Sequence, residues 1–374
     1  RVCLRDDHRL LRIRARFGFL WIDPRTRGVA PPVSALRIGL GQVRVSAQDV
    51  AGPARATRCA DPSAHVAAEA STHASNVDGS LATPVEECEE TSVNTAYVLA
   101  IDAGTTGIRC RAVFANGQPS QSAYREFTQY FDRPGWVEHD ASEIWDAVRT
   151  TFLELTARLG LPECIGITNQ RETVVAWDRM SGEVFGRAIV WQDRRTAEIC
   201  DELADAGHLA TVRELTGLVL DPYFSGTKMA WILDEIRRDR GSIPADLVLG
   251  TIDSWVLWNL SGGDTFATDP SNASRTMLYD IGRMSWSDAL SDVLRVPLEH
   301  LAEVRPSSGR FATTRHPDLP AGIPISGIAG DQQAALFGQA CFSPGMAKNT
   351  YGTGSFVLMN IGATCPTPRE GLLT

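Results

Sequence analysis

The stretch GIAGDQQAALFGQ at residues 327–339 constrains the fold most. A short apolar run meets a Gly-Asp turn that opens directly onto an Ala-rich segment, so a buried strand must hand over to a helix within a residue or two. That junction puts one carboxylate, Asp331, at a strand-to-helix mouth, where it can meet a substrate hydroxyl in a cleft. The question for the rest of the chain is whether other segments build the remainder of such a cleft.

The sequence changes grammar at about Tyr97. Residues 1–58 carry twelve arginines, no lysine and four aspartates, and residues 59–95 turn acidic and rich in Ala, Ser and Thr. Residues 1–95 therefore read as an atypical, disordered extension that ends in a solvated linker around Glu86, Glu87, Glu89 and Glu90. Residues 9–20 have the basic composition of a transit peptide, but Asp6 and Asp7 argue against one, and a cloning or gene-model extension explains them as well.

From Tyr97 the pattern is α/β. YVLAID, the turn AGTTG and IRCRAVF read as a β-hairpin that continues into a meander at Asn116-Gly117. DASEIWDAVRTTFLELTARLG reads as a helix, with Asp140 and Glu143 in capping-box spacing and Ile144, Trp145, Val148, Phe152, Leu155 and Leu159 along one stripe. CIGITNQRE is a buried strand emerging into a polar loop, and TVVAWD with FGRAIVW forms a hairpin around Ser181-Gly182. Residues 196–260 are expected to be largely helical, with the apolar ladder Val248, Leu249, Trp255, Leu257 and Trp258. Residues 261–320 are expected to be irregular β and loop structure. Strand signals return in IPISGIAGD and in MAKNTYGTGSFVLMNIG. The sum is a mixed sheet with flanking helices.

With 374 residues and an apolar fraction of 43%, the chain has material for more than one packed domain. A formal net charge of -9 gives no basic footprint for nucleic acid, and no apolar run of about eighteen residues marks a membrane span. The eight cysteines form no CxxC pair and no Cys/His cluster at metal spacing, which fits reduced cytoplasmic thiols.

Two turns are shaped for phosphate. In DAGTT, residues 102–106, Gly104 lets the backbone approach an anion while its N–H groups and two hydroxyls face it; a plain hairpin turn is the alternative. NTYGTGS, residues 349–355, repeats the device with glycines on either side of Thr353. Neither the Walker A pattern nor the protein-kinase motif set is present. Arg171 and Glu172 follow a buried strand, where a charge pair ordinarily forms a solvated salt bridge but can also grip adjacent hydroxyls of a polyol. Trp191 offers an apolar face, and Tyr223 a phenol from a loop; taken singly, each also reads as core packing.

Seven co-linear segments together carry a resemblance: PGWVEHD (134–140), GITNQRET (166–173), VWQDRRTAEIC (190–200), DPYFSGTK (221–228), DPSNASRTML (269–278), GIAGDQQAALFGQ (327–339) and GMAKNTYGTG (345–354). They resemble the glycerol kinases of the carbohydrate kinase family, which has the actin-like ATPase (ribonuclease H-like) fold; the aromatic, Lys and Trp of residues 223–235 also resemble that family's signature. The resemblance implies an ATP-dependent phosphotransferase that gives sn-glycerol 3-phosphate and ADP in cytoplasmic glycerol catabolism, without nucleic acid or a membrane span and with a homo-oligomer left open. It casts Asp331 as the base that takes the proton of the terminal glycerol hydroxyl. Arg171, Glu172, Trp191, Tyr223, Asp331 and Gln332 would bind glycerol. Thr105, Thr106, Gly107, Arg109, Gly352 and Thr353 would contact the nucleotide, and Asp102 would orient hydrated Mg²⁺.

The same resemblance divides the chain into the extension 1–95, an N-terminal carbohydrate kinase domain at 96–344 and the opening of a truncated second domain at 345–374. The run FVLMNI is then expected to have unpaired edges and exposed apolar surface. Activity of such a chain is open, because transfer to substrate rather than water needs enclosure. Another polyol or sugar kinase, for erythritol or a ketopentose, and a non-catalytic glycerol-binding fragment are the alternatives. Two departures stand out. GTTGIR has Gly107-Ile108 where the family commonly has small hydroxyl residues, removing two potential phosphate donors. PDLPAGIPI, residues 317–325, lacks the basic residue by which bacterial members bind fructose 1,6-bisphosphate.

Overall fold

Three short apolar segments, Tyr97–Ala103, Cys164–Asn169 and Pro324–Gly330, lie side by side as parallel strands at the centre of a six-stranded sheet. Burial alternates along them, so one face of this part of the sheet is packed and the other is only partly covered. The computed structural model describes residues 96–351 and 355–374 and the backbone of the strand Phe17–Leu20. The rest of the expected disordered extension lies outside the described residues, as do Gly352 and Thr353. In the register, Ala103 is level with Asn169, and Asn169 with Gly330. The three chains therefore leave the sheet at one edge, and the residues that follow, Gly104, Gln170 and Asp331, emerge together.

The outer strands are antiparallel: Ser308–Thr313 beside Pro324–Gly330 on one side, and Gly107–Phe114 then Gln121–Glu126 beyond Tyr97–Ala103 on the other. This is the expected hairpin and meander within a mixed sheet. Helix Ala141–Leu159 packs on these strands through Ile144, Trp145, Val148, Phe152 and Leu155, all buried, with Leu159 partly buried. Asp140 caps it by accepting from the N–H groups of Ser142 (2.7 Å) and Glu143 (3.4 Å). The expected capping box is only half made. Glu143 instead accepts from the Thr128 N–H and the Tyr130 hydroxyl, each at 2.8 Å, and so fastens the loop before the helix.

A second sheet orders Glu138–His139, Ala188–Ile189, Val174–Asp178 and Leu247–Thr251. The hairpin around Ser181-Gly182 forms through a Trp177–Val184 bridge, but the main partner of Val174–Asp178 is Leu247–Thr251. Val248 and Leu249 thus lie on a strand, contrary to the helical expectation, while Trp255, Leu257 and Trp258 lie on helix Ile252–Leu260. So short an apolar run fits a buried strand and a buried helix equally well until tertiary pairing decides. The expected helices appear at Ala197–Asp205, Leu209–Thr216 and Ser225–Arg240. Residues 261–320 are less irregular than expected. Asp269 caps the short helix Pro270–Ala273, and Ser287 caps helix Asp288–Leu294.

The hairpin of Ala347–Tyr351 and Ser355–Asn360 is present. Ser355–Asn360 has Phe17–Leu20 antiparallel on its other side, so the expected unpaired edge of FVLMNI is occupied. Exposed apolar surface nevertheless remains nearby, at Met346, Tyr351 and Met359.

Candidate active site

The edge where the three parallel strands end carries a cavity of about 120 Å³ lined by Thr105, Gln170, Arg171, Glu172, Trp191, Tyr223, Asp331, Gln332, Thr350 and Phe356. Ligands in open α/β sheets bind beyond the carboxyl ends of parallel strands, and this cavity follows that rule. All six residues expected to hold a polyol meet here.

Arg171 and Glu172 do not form a solvated pair. Both are buried, and each has another partner. Arg171 Nε lies 3.0 Å from Asp331 Oδ1, and its Nη1 donates to Gln333 Oε1 at 3.3 Å. Burial works against the guanidinium charge, but Glu172, Tyr223 and Asp331 hold its pKa above the ordinary arginine value. Gly330 makes this contact possible, since a Cβ there would sit 2.6 Å from Arg171 Cδ. Glu172 Oε1 accepts from Arg275 Nε at 2.6 Å. Its backbone is left-handed, at φ 64°, a conformation that costs a non-glycine residue on the order of 1–3 kcal/mol. The Arg275 pair and a 3.1 Å bond from the Ser225 hydroxyl to its carbonyl hold it there.

Asp331 opens helix Asp331–Gly338 and is partly exposed, at 37% of its side chain. Oδ1 accepts from the Gln332 N–H at 2.7 Å, and Oδ2 from Gln332 Nε2 at 3.0 Å. Trp191 donates through Nε1 to Thr105 Oγ1 at 2.9 Å, and its ring meets Tyr223 edge-on at 5.7 Å. Tyr223 is held from behind by Lys228, whose buried ammonium donates to the carbonyls of Pro222, Tyr223 and Phe224 at 2.7, 2.7 and 3.1 Å. Three donors meet three acceptors there. Burial still pulls the Lys228 pKa down to about 7, with Glu172, Asp193 and Asp221 opposing the fall. Burial first, and the Glu172 charge second, push the Tyr223 phenol above its ordinary pKa, which keeps it a neutral donor.

Among the expected nucleotide residues, Thr105 lines the cavity, Thr106 is exposed, and Arg109 stacks over Tyr124 at 4.9 Å. Gly107 owes its lack of a side chain to packing, because a Cβ would meet the Arg125 carbonyl at 2.4 Å. Ile108 is wholly buried in the core, so a hydroxyl residue at that position would face the core rather than an anion. Gly352 and Thr353 lie outside the described residues. The turn itself is tight, with the Gly104 N–H on the Gly107 carbonyl at 3.1 Å. It is pinned from behind: Gln129 Nε2 donates to the Thr105 carbonyl at 3.0 Å and Gln170 Nε2 to the Gly104 carbonyl at 3.1 Å. Buried His139 joins the two glutamines, with Nε2 at 2.7 Å from Gln129 Oε1 and Nδ1 at 3.3 Å from Gln170 Nε2. That pattern needs a neutral ring protonated on Nε2, and burial lowers the His139 pKa to about 4.

Asp102, level with Arg109 across the hairpin, is exposed at the strand end. Protein mass around it pushes its carboxyl above the ordinary value. The charge of Asp331 adds to the rise, and Arg109 and Arg111 oppose it. Two carboxylates close enough to sense each other suit a divalent cation that keeps most of its waters, as Mg²⁺ does. No cluster of three or more metal-ligating side chains occurs among the described residues.

Residues 97–338 match the FGGY family of carbohydrate kinases, N-terminal domain. The chain belongs to the FGGY family of carbohydrate kinases. This FGGY chain is 53% identical over 288 residues to the glycerol kinase of Halorhodospira halophila (strain DSM 244 / SL1), an alignment covering 74% of the chain and 56% of that protein. It is similar to the crystal structure of Plasmodium falciparum glycerol kinase with ADP, at 33% identity and a TM-score of 0.66 over 70% of this chain and 54% of that one. In fold alone it is similar to the ligand-bound xylulose kinase of Lactobacillus acidophilus, at 19% identity and a TM-score of 0.64, covering 70% and 54% of the two chains. The FGGY chain spans about half the length of the curated relatives it matches.

Several residues at this FGGY site escaped the sequence reading. Arg275 sits within DPSNASRTML, and its pairing with Glu172 spans 103 positions. Phe356 read only as part of an apolar strand, yet its ring approaches Trp191 at 6.5 Å and lines the cavity. Gln170, Lys348 and Thr350 lay within quoted segments without a role. Among the described residues no helix is long and apolar enough to cross a membrane.

Proposed function

We propose that this chain carries the polyol-binding side of a glycerol kinase, which transfers the γ-phosphoryl group of ATP to glycerol. One observation supports it above the others: Arg171, Glu172, Trp191, Tyr223, Asp331 and Gln332 line a single cavity that offers donors and acceptors for adjacent hydroxyls beside aromatic faces. The 53% identity to a glycerol kinase adds to this.

In this reading Trp191 and Phe356 take the carbon backbone. Arg171 and Tyr223 donate to hydroxyl oxygens, and Glu172, with Oε1 held by Arg275, accepts through Oε2. Asp331 takes the proton of the attacking hydroxyl. Its carboxylate is steadied from behind by Gln332 and Arg171, so its geometry is set before substrate arrives. A base of this kind acts late in phosphoryl transfer, where orientation and charge neutralisation supply most of the acceleration. Thr105, Thr106, Gly107, Arg109, Gly352 and Thr353 are assigned to nucleotide phosphates. Asp102 is assigned to hydrated Mg²⁺, which supplies neutralisation of phosphate charge.

A coupled ADP-release assay across glycerol, erythritol and xylulose, with isothermal titration of glycerol, tests the reading. Glycerol should bind and be the preferred acceptor. Equal rates on xylulose, or no heat of glycerol binding, would overturn it.

A further inference from the structure

Resting on that substrate reading, we propose that Lys348 is a positioning residue that fixes the polarity of one cavity wall, holding Gln332 and Thr350 so that both present hydrogens to the polyol. Lys348 lies on Ala347–Tyr351, is 3% exposed and does not line the cavity. Its two partners do. Nζ donates to Gln332 Oε1 and, at 2.6 Å, to Thr350 Oγ1.

The consequence follows from what an ammonium lacks. It has three donors and no acceptor, whereas an amide offers an oxygen at one end and an NH₂ at the other, and a hydroxyl can turn either way. Facing Nζ, Gln332 must present Oε1, which sends Nε2 to Asp331 Oδ2 at 3.0 Å and leaves its second hydrogen for the cavity. Thr350, accepting from Nζ, must direct its own hydrogen elsewhere. An inverted amide would instead bring Oε1 against the Asp331 carboxylate, acceptor on acceptor, so one lysine sets both the donor wall and the bond that steadies Asp331. Three charged or titratable groups face Lys348: Asp331 at the start of helix Asp331–Gly338, Cys341 beyond that helix, and Arg171 from the loop after Cys164–Asn169. Burial, and then Arg171, weaken the ammonium, while Asp331 and Cys341 favour it, leaving its pKa at about 8.

The test uses the full chain and glycerol as probe. By titration calorimetry, Lys348→Met and Gln332→Ala should each weaken glycerol binding about tenfold, and the double variant should be no weaker than the worse single one. Additive losses, or unchanged affinity in Lys348→Met, overturn the proposal. The unsubstituted protein supplies a ligand-free readout that survives a folding defect in the variants. The Gln332 side-chain amide resonances should shift as pH rises through about 8, because the neutral amine gains a lone pair and no longer dictates which end of the amide faces it. A signal constant across that range overturns the proposal. Wild-type protein whose Gln332 amide titrates but which shows no heat with glycerol supports the lock and refutes the substrate reading instead.

Discussion

Two neighbouring parallel strands end at the same edge and deliver opposite kinds of carboxylate. Cys164–Asn169 runs into Gln170, Arg171 and Glu172, all buried, with Glu172 in a left-handed conformation and paired to Arg275. Pro324–Gly330 runs into Asp331, partly exposed and held through backbone and amide contacts at a helix start. The first end stores charge in a rigid, desolvated wall; the second offers charge to the cavity. Arg171 spans the two. Fixing a substrate and accepting its proton place different demands on a carboxylate, and adjacent strand ends meet them separately.

The comparison breaks most readily at Arg275. Arg275→Met should leave the Glu172 carboxylate buried without its partner and destabilise the chain by about 3–5 kcal/mol, as read by urea unfolding. A loss under about 1 kcal/mol would mean that Glu172 is solvated after all. At the other strand end the effect should fall on rate. Asp331→Asn should lower turnover by about 10²–10⁴-fold, yet keep glycerol affinity within about tenfold, roughly 1.4 kcal/mol; near-normal turnover would end its assignment as base.

Acid titration should also separate the two ends. His139 supports Gln170 and is neutral in the fold, its pKa lowered from 6.5 to about 4 by burial. As pH falls below 6.5 the unfolded chain takes up the proton first, so stability present above 6.5 is lost progressively towards pH 4, by about 3 kcal/mol in all. His139→Gln should flatten that slope in pH-dependent unfolding. The difference between the two proteins isolates His139 from Asp253, whose carboxyl, pushed up to about 7 by burial, acts in the opposite sense. The smallest effect belongs to Gly330. Gly330→Ala should displace Arg171 from Asp331 at a cost of about 1–3 kcal/mol and raise the KM for glycerol more than it lowers kcat. Equal loss in both would show that the contact does not serve binding.

Where structure was written in local periodicity, the sequence was readable. The hairpin from Tyr97 to Phe114 and the helix Ala141–Leu159 declare themselves by alternation, by a turn and by a cap. Strand Leu247–Thr251 did not, since it is buried throughout and its short apolar run Leu247, Val248, Leu249 has no period to read, and helix Asp288–Leu294 is too short to stand out from its turns. The site divides the same way. Arg171, Glu172, Trp191, Tyr223, Asp331 and Gln332 were found through family-like segments, and the structure brings them to one cavity. Arg275 and Lys348 lie in such segments too, but their contacts are with partners brought close by the fold, so no local pattern assigns them a role.

The central trio of strands also bears on how the chain reaches its fold. Pairing Tyr97–Ala103 with Cys164–Asn169, and that strand with Pro324–Gly330, joins segments far apart along the chain, and such long closures are slow to form. During synthesis the cavity cannot exist until residues up to Phe356 have left the ribosome, long after helix Ala141–Leu159 is available to pack. A growing chain would meanwhile hold an unfinished parallel edge at Cys164–Asn169, open to wrong pairing until Pro324–Gly330 arrives.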